Sequence, residues 1–115
     1  MYVVEGITKL AVLRTDPYFA NSTATFGSGL NERQLWLLKQ FDNVVIIPDA
    51  DAAGMRSIKR LKENMNREFQ VLELPKMEGL KDVGDIPTKL NTTVANLRKR
   101  GWGRALKSSS SIVFY

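Results

Sequence analysis

Five acidic residues follow strand-like segments of the sequence, at the points where those segments end. They are Glu5, Asp49, Asp51, Asp82 and Asp85. If the segments are parallel strands of one sheet, their carboxyl ends lie at the same edge, which is where open α/β sheets bind ligands. Residues two apart in an extended chain point the same way, so Asp49 and Asp51 can address one point. Carboxylates this close repel each other unless a cation lies among them. The spacing therefore predicts a cation site at that edge.

Magnesium fits this set of oxygen ligands best, because it binds a few carboxylates, keeps several waters and bridges to substrate phosphates. Manganese fits in a similar way. A helix is predicted to begin directly after Asp51, and its free N–H groups would let a phosphate approach near Gly54. We predict Gly54 and Arg56 as phosphate-binding residues and phosphoryl transfer as the chemistry. The alternative is that the Asp49–Asp51 triplet is a turn or a helix cap without a metal.

The segments that must position these residues alternate between strand and helix patterns. The predicted strands are residues 2–4, 23–26, 44–47 and 69–74, and the predicted helices are about 7–14, 32–41, 52–66 and 94–99. The strand at 44–47 is apolar without alternation, as expected when helices cover both faces. This order predicts an α/β fold with an open, mainly parallel four-stranded sheet and helices on both faces. We predict a loop over 76–85, a flexible linker over 108–111, and an edge strand or a disordered end over 112–115.

The composition restricts the chemistry further. The chain of 115 residues has no cysteine and no histidine, which excludes disulfides, thiolate zinc sites and nucleophiles that depend on cysteine or histidine. Any metal must therefore be bound by oxygen. The length fits one domain with a modest core. No apolar run approaches the roughly 18 residues of a membrane span, so we expect a cytoplasmic protein with no membrane partner.

Positive charge is concentrated in the last part of the chain. The net charge is +5, yet residues 1–85 hold 11 basic and 12 acidic residues, and the six charges after Asp85 are all positive. A polyanion is the partner that this distribution favours. The predicted nucleic-acid-binding residues are Arg98, Lys99, Arg100, Trp102 and Arg104. The cations would contact phosphates while a base stacks on Trp102; the alternative is that Trp102 packs against the sheet and the arginines stay solvated.

Four segments together resemble the Toprim domain, the metal-binding module for nucleotidyl or phosphoryl transfer in primases, topoisomerases, some nucleases and a recombination protein. They are VVEG at 3–6, TFGSGL at 25–30, VVIIPDADAAG at 44–54 and LPKMEGLKDVGD at 74–85. The DxDxAG form and the KD-containing loop are most similar to DNA primases, including those of the bacterial and bacteriophage primase-helicase type. The resemblance implies a Rossmann-like Toprim domain over residues 1–90, followed by a basic C-terminal helix and tail over 91–115.

The resemblance also implies roles for the acidic residues. Glu5 would be the acid or base that assists proton transfer at the reacting oxygen and would help to hold the metal. Asp49 and Asp51 would be the principal metal ligands and, with Glu5, the catalytic residues. Asp82 would assist in binding the metal, with Asp85 as a further candidate. Lys81, which precedes Asp82, would contact a nucleotide phosphate.

Two residues depart from the pattern of primases. Many primases have an acidic residue four positions after the motif glutamate, and here that position is Lys9. A helper carboxylate is then missing; the alternative is that Lys9 is a solvated charge on a helix face. Pro48 stands directly before the DxD motif. Because proline cannot donate a ladder hydrogen bond, the third strand must end there or lack a partner at that N–H.

Three functions are compatible with these features. The first is a primase-type Toprim subunit that uses magnesium to make RNA primers from nucleoside triphosphates on single-stranded DNA. Such a component would not be active alone, and would need a helicase and a template-binding or zinc-ribbon primase part. We therefore expect a split gene product, a subunit or an excised domain, in a bacterial cell or a phage-infected bacterium. The second is a small stand-alone Toprim nuclease that cleaves RNA or DNA. The third is a non-catalytic module that binds nucleic acid or a replication protein.

Overall fold

Strands and helices alternate along the chain as predicted. The structure is a computed structural model that describes residues 1–25 and 31–113. The described elements are β1 (Tyr2–Glu5), α1 (Ile7–Leu13), β2 (Ser22–Thr25), α2 (Glu32–Leu38), β3 (Val45–Ile47), α3 (Ala52–Met65), β4 (Gln70–Leu72), α4 (Asp85–Lys89), α5 (Val94–Lys99) and β5 (Leu106–Ser108). Short 3-10 helices cover Pro17–Phe19 and Ser109–Ser111. Phe26, the predicted end of the second strand, lies outside the described residues with most of the TFGSGL motif, as do residues 114 and 115.

The strands form one sheet in the order β2-β1-β3-β4-β5. The pairs β2–β1, β1–β3 and β3–β4 are all parallel, with Tyr2 opposite both Ser22 and Val45. The four parallel strands confirm the predicted α/β sheet. Because they are parallel, their carboxyl ends lie at one edge, where Glu5 is the last residue of β1.

Helices cover both faces of this sheet, as predicted. Adjacent residues of β1 point to opposite sides, so that Val4 joins a buried cluster with Leu13 of α1, while Val3 joins a second cluster with Leu38 and Ile58. The first cluster also contains residues from α4 and α5, and the second contains residues from α2 and α3. The core therefore consists of two apolar layers, one on each side of the sheet.

The helix termini follow local capping chemistry. Asn31 and Gln34 form a reciprocal capping box at the start of α2, as the predicted role of Asn31 requires. This helix ends at Leu38 and not at residue 41, and Arg67 donates to the carbonyl oxygens of Leu38 and Phe41 just beyond it. The next helix, α3, ends at Met65. Asn66, which follows it, adopts a left-handed conformation with φ of 57°, and this is a common way to end a helix.

The sheet has a fifth strand that the sequence pattern did not predict. β5 pairs antiparallel with β4, and the serine run that follows it is ordered, so the predicted flexible linker over 108–111 is wrong. Ser109 is buried, its N–H donates to the Phe69 carbonyl, and its Oγ accepts a hydrogen bond of 3.1 Å from the Phe69 N–H. The polar groups of Ser109 are therefore satisfied by the Phe69 backbone and not by water. Local composition does not predict such a distant partner.

Part of the region after residue 90 lies in the same interior as the rest of the fold. Val94 and Trp102 belong to the first apolar cluster, and Ile112 packs against the second. The division at residue 90 stays a prediction about domain organisation.

The sequence pattern does not predict α4: it indicates a loop over 76–85, whereas a helix covers Asp85–Lys89 in the structure. Within the described ranges, none of the helices has the length and apolar character needed to cross a bilayer.

Candidate active site

The predicted acidic residues lie along the carboxyl edge of the parallel strands. Glu5 ends β1, Asp49 lies two residues beyond β3, and Asp51 is the N-cap of α3. Asp82 lies in the loop between β4 and α4. The two loops are joined directly, since the Ala50 N–H donates to the Lys81 carbonyl at 2.6 Å. This bond holds the segment that carries Asp82 against the segment that carries Asp49.

Asp49 has the most perturbed environment of this edge. Its side chain is only 16% exposed, and burial raises the pKa of the carboxyl group to about 6. The positive charge of Lys9 opposes that increase, whereas the negative charges of Glu5, Asp82 and Asp51 add to it. Glu5, Asp51 and Asp82 therefore each lie within electrostatic reach of Asp49. A desolvated carboxyl group among other carboxylates in a cleft is a common feature of functional sites.

Asp51 caps the helix that begins beside Asp49. Its Oδ1 accepts a hydrogen bond of 2.7 Å from the Gly54 N–H, which is the geometry of an N-cap. One part of the alternative for the DxD triplet, a helix cap, is therefore observed at Asp51. Gly54 is buried, and a Cβ at this position would collide with the Asp49 carbonyl oxygen. In this structure Gly54 serves the close approach of α3 to the Asp49 backbone, and its N–H is already used by Asp51.

We expect Gly54→Ala to destabilise the fold by about 2 kcal/mol, since the new methyl group would meet backbone atoms that cannot move without shifting the loop. The free energy of unfolding in urea measures this effect. Ala53→Ser changes an exposed position in the same turn and is the matched control. Equal stability of Gly54→Ala and the parent chain would contradict the close approach.

Lys9 lies in the site and is not a solvated charge on a helix face. Its Nζ is 3.6 Å from the Asp49 Oδ2, and only 25% of the side chain is exposed. The position that is acidic in many primases is thus occupied here by a cation that contacts a predicted metal ligand. The alternative that Lys9 is a solvated charge on a helix face is wrong, because its ammonium group lies against the Asp49 carboxyl group and most of its side chain is buried.

Asp85 shapes the loop that contains Lys81 and Asp82. Its Oδ2 accepts hydrogen bonds from the N–H groups of Lys81, at 2.8 Å, and of Asp82, at 3.1 Å. The Lys81 bond is the main reason that the pKa of Asp85 lies below its ordinary value. These bonds give Asp85 a positioning role at the start of α4, whereas the Asp82 side chain is not used in this cap. Lys81 is exposed at the same edge.

The side chains at this edge provide the oxygen donors that a divalent cation prefers, but they do not surround a single point. In the described part of the chain, no three acidic side chains come close enough to hold one ion together. Magnesium does not require such a cage, because one or two carboxylates, waters and substrate phosphates complete its shell. The largely buried Asp49 carboxyl group, with other carboxylates near it, is suited to binding of this kind. Hard oxygen donors without nitrogen or sulfur also match the ion.

A groove beside Asp49 contains residues that the sequence pattern does not indicate as part of a site. It is lined by Asp49, Asp51, Met55, Glu73 and Lys76, among others. Lys76 is exposed there and adds a cation to the site, while Glu73 pairs with Lys107 at 3.2 Å. The signal in the sequence is weak, because Lys76 only follows the proline that closes the predicted fourth strand. Arg56 is exposed on α3.

Two of the predicted nucleic-acid contacts have structural partners. Trp102 is 7% exposed, and its Nε1 donates to the Glu73 carbonyl at 3.0 Å. The indole packs in the core as in the alternative, so the face proposed for base stacking is covered. Arg98 forms an ion pair of 2.5 Å with the buried Asp16 and lies 4.6 Å from the centre of the Tyr18 ring. Arg98 is therefore fixed against the fold.

The other predicted cations of the C-terminal region are exposed. Lys99 is the last residue of α5, Arg100 follows it as the C-cap, and Arg104 lies in the turn before β5. Positive side chains at a helix C-terminus are stabilised by the helix dipole. These three residues stay available for contact with a polyanion, without the aromatic platform that the sequence suggested.

Comparisons with known proteins agree with this architecture. A family model described as Toprim-like matches residues 2–86. No curated protein matches the chain significantly. A solved structure, "Structure of the DnaG primase catalytic domain bound to ssDNA", is 21% identical, with a TM-score of 0.70, and the similarity covers 96% of this chain and 35% of that one. This chain therefore spans about a third of that primase chain, and the likeness is one of fold.

Proposed function

We propose, since this chain belongs to the Toprim-like family, that it is the nucleotidyl-transfer domain or subunit of a DNA primase. The observation that carries the proposal is the environment of Asp49, a largely buried carboxyl group at the carboxyl edge of a parallel sheet. Burial raises its pKa, and the negative charges of Glu5, Asp82 and Asp51 add to the increase. The similarity of fold to a primase catalytic domain bound to single-stranded DNA supports a primase over the other two functions.

In the proposed reaction the hydroxyl oxygen at the 3′ end of a growing primer attacks the α-phosphorus of a nucleoside triphosphate. The new oxygen–phosphorus bond forms as the bond between the α-phosphorus and the bridging oxygen breaks, and pyrophosphate leaves. Glu5 is the proposed acceptor of the hydroxyl proton, because it ends β1 within electrostatic reach of Asp49 and is partly exposed. A positioned base of this kind contributes by taking the proton as the bond forms.

Asp49 and Asp51 would be the principal ligands of the magnesium ion, with Glu5 and Asp82 assisting; manganese would fit the same oxygens. When bound, the ion supplies positive charge that stabilises the developing negative charge on the phosphoryl oxygens. The chain itself contributes the sheet edge along which these carboxylates lie. Asp85 supports the arrangement by positioning the loop of Asp82.

Phosphate and template contacts would come from cations around this edge. Lys81 is the proposed contact for a nucleotide phosphate, and its carbonyl oxygen accepts a hydrogen bond from the loop that contains Asp49. Two further exposed cations are Arg56, on α3, and Lys76, which lines the groove. Lys99, Arg100 and Arg104 are the proposed contacts for the DNA backbone. Backbone contacts of this kind confer affinity without sequence specificity.

Primer synthesis would require partners. This chain spans 35% of the similar primase chain, and it has no cysteine or histidine for a zinc ribbon. We propose that a template-binding or zinc-ribbon primase part and a helicase complete the enzyme, in the cytoplasm of a bacterium or of a phage-infected bacterium.

A reconstitution assay tests the proposal. The purified protein, with single-stranded DNA, nucleoside triphosphates and magnesium or manganese, is expected to make no primers alone and to make them when a helicase and a template-binding primase part are added. Labelled nucleotide incorporated into primers is the readout. Failure in every combination would contradict the primase proposal. Metal-dependent cleavage of RNA or DNA in the same reactions would favour the nuclease, and DNA binding without either reaction would favour the non-catalytic module.

A further inference from the structure

The Lys9 side chain is held over the turn that follows Glu5. Gly6 has φ of +87°, a conformation that glycine adopts more easily than other residues. A Cβ at Gly6 would lie 3.4 Å from the Lys9 Cδ and 3.7 Å from its Nζ. The lysine therefore folds back across the glycine, and does not extend from the helix into solvent. This geometry brings its ammonium group to the sheet edge.

The ammonium group lies where a cation would contact Asp49. Its Nζ is 3.6 Å from the Asp49 Oδ2, with the lysine and aspartate side chains 25% and 16% exposed. At this separation, and partly shielded from water, the two charges attract each other more strongly than an exposed pair does. A cation approaching the same carboxylate oxygen must therefore displace Lys9 or share the oxygen with it.

We propose that Lys9 is an internal counter-ion that competes with divalent metal for Asp49, so that the site binds a free metal ion weakly. This inference rests on the proposed metal-binding role of Asp49. It assigns a function to the position at which many primases have a carboxylate: the side chain here repels a metal ion that a carboxylate would attract. The weak binding of free metal leaves the ion to be held mainly when substrate phosphates supply further oxygens.

Manganese binding by the protein, measured by isothermal titration calorimetry without nucleotide, tests the inference. Lys9→Met is expected to bind Mn²⁺ about tenfold more tightly than the parent chain, because a favourable charge pair no longer has to be broken. Lys9→Arg keeps the charge and is expected to bind as weakly as the parent. Lys39→Met removes the same charge from an exposed position after α2 and is expected to change nothing.

The outcomes separate this inference from the proposed function. Equal or weaker binding by Lys9→Met, or no binding by either protein, would overturn the role of Lys9. Asp49→Asn in the Lys9→Met background is expected to abolish the gain. If Asp49→Asn removes binding but Lys9→Met does not strengthen it, the metal site stands and only the competition is wrong. If binding persists in Asp49→Asn, the metal-binding role of Asp49 fails as well. Should Lys9→Met fold poorly by circular dichroism, Lys9→Gln gives the same neutral site with a polar side chain.

Discussion

Replacing Asp49 with Asn is expected to lower primer synthesis by the reconstituted enzyme by about a hundredfold to a thousandfold, a range typical of removing one electrostatic group from a catalytic site. The amide keeps the shape of the carboxyl group but carries no charge, so it binds a divalent cation weakly. Initial rates of nucleotide incorporation measure the effect. Asp42→Asn is the matched control, because it makes the same chemical change at an exposed position before β3. Retention of most of the activity by Asp49→Asn would contradict the proposed site.

The same variant is expected to be more stable than the parent chain above about pH 6 in buffer with a chelator. Burial raises the pKa of Asp49 to about 6 in the folded state, from an ordinary value of 3.8, so the folded chain binds more protons than the unfolded chain between these values. Stability of the parent therefore falls as pH rises through this window. Asn does not ionise, so the advantage of the variant is full above pH 6 and disappears below about pH 4. Thermal unfolding at pH 4 and pH 8 measures the difference, and loss of stability at pH 8 would indicate instead that the variant is damaged.

Replacing Asp16 with Ala is expected to lower the free energy of unfolding by about 3 kcal/mol, as for other buried ion pairs from which one partner is removed. Asp16 is 2% exposed. One oxygen accepts from Arg98 Nε at 2.5 Å, and the other accepts from the Tyr18 N–H at 3.1 Å. The pair joins α5 to the segment between α1 and β2, so its loss leaves both the guanidinium group and the start of a 3-10 helix without their partner. Urea unfolding at pH 7 measures the change.

The contribution of Asp16 is expected to depend on pH. The hydrogen bond from Arg98 is the main reason that the pKa of Asp16 lies below its ordinary value of 3.8, with the Tyr18 N–H adding to the effect and burial opposing it. Because the folded-state pKa is the lower one, the stabilisation is complete above the unfolded value and is lost as pH falls through the folded value. Asp16→Ala and the parent should therefore differ at pH 7 and converge in acid below pH 3.8.

A double-variant cycle separates the ion pair from other effects of the substitution. Arg98→Ala combined with Asp16→Ala should cost less stability than the sum of the two single changes, because either change alone already breaks the pair. Asp42→Ala, at an exposed position, should leave the unfolding curve unchanged. Simple additivity of the two changes would show that Asp16 and Arg98 do not stabilise the fold as a pair.

The local sequence pattern predicted β1, β3 and α3, the elements next to Glu5, Asp49 and Asp51. Val44–Ile47 is a continuous apolar run that ends at Pro48, and β3 ends at Ile47, as the missing N–H of the proline suggested. Asn31 predicted the start of α2 through its capping chemistry. These features depend on neighbours within a few residues along the chain, so the sequence alone contains the needed information.

Long-range partners explain the features that the sequence did not reveal. The serines after Leu106 look like a linker by composition, yet Ser109 bonds to Phe69, which is 40 residues away. Arg98 and Trp102 look like a nucleic-acid contact, yet Asp16 and the Glu73 carbonyl are their partners in the fold. An arginine or tryptophan side chain in a basic segment can bind nucleic acid or pack within the fold. Which of the two occurs depends on the groups that the folded chain places next to it.

The acidic edge shows the same division. Parallel strands that end in acidic residues determined by themselves that Glu5, Asp49 and Asp82 belong to one edge of a sheet, since strand direction sets where the carboxyl ends lie. The tertiary structure decided what each carboxylate does there: Asp51 caps α3, Asp85 positions the Lys81 loop, and Asp49 pairs with Lys9. The position of a residue along a strand determines the edge at which its side chain lies. The charges and hydrogen-bond donors that surround the side chain come from other elements, and only folding brings them together.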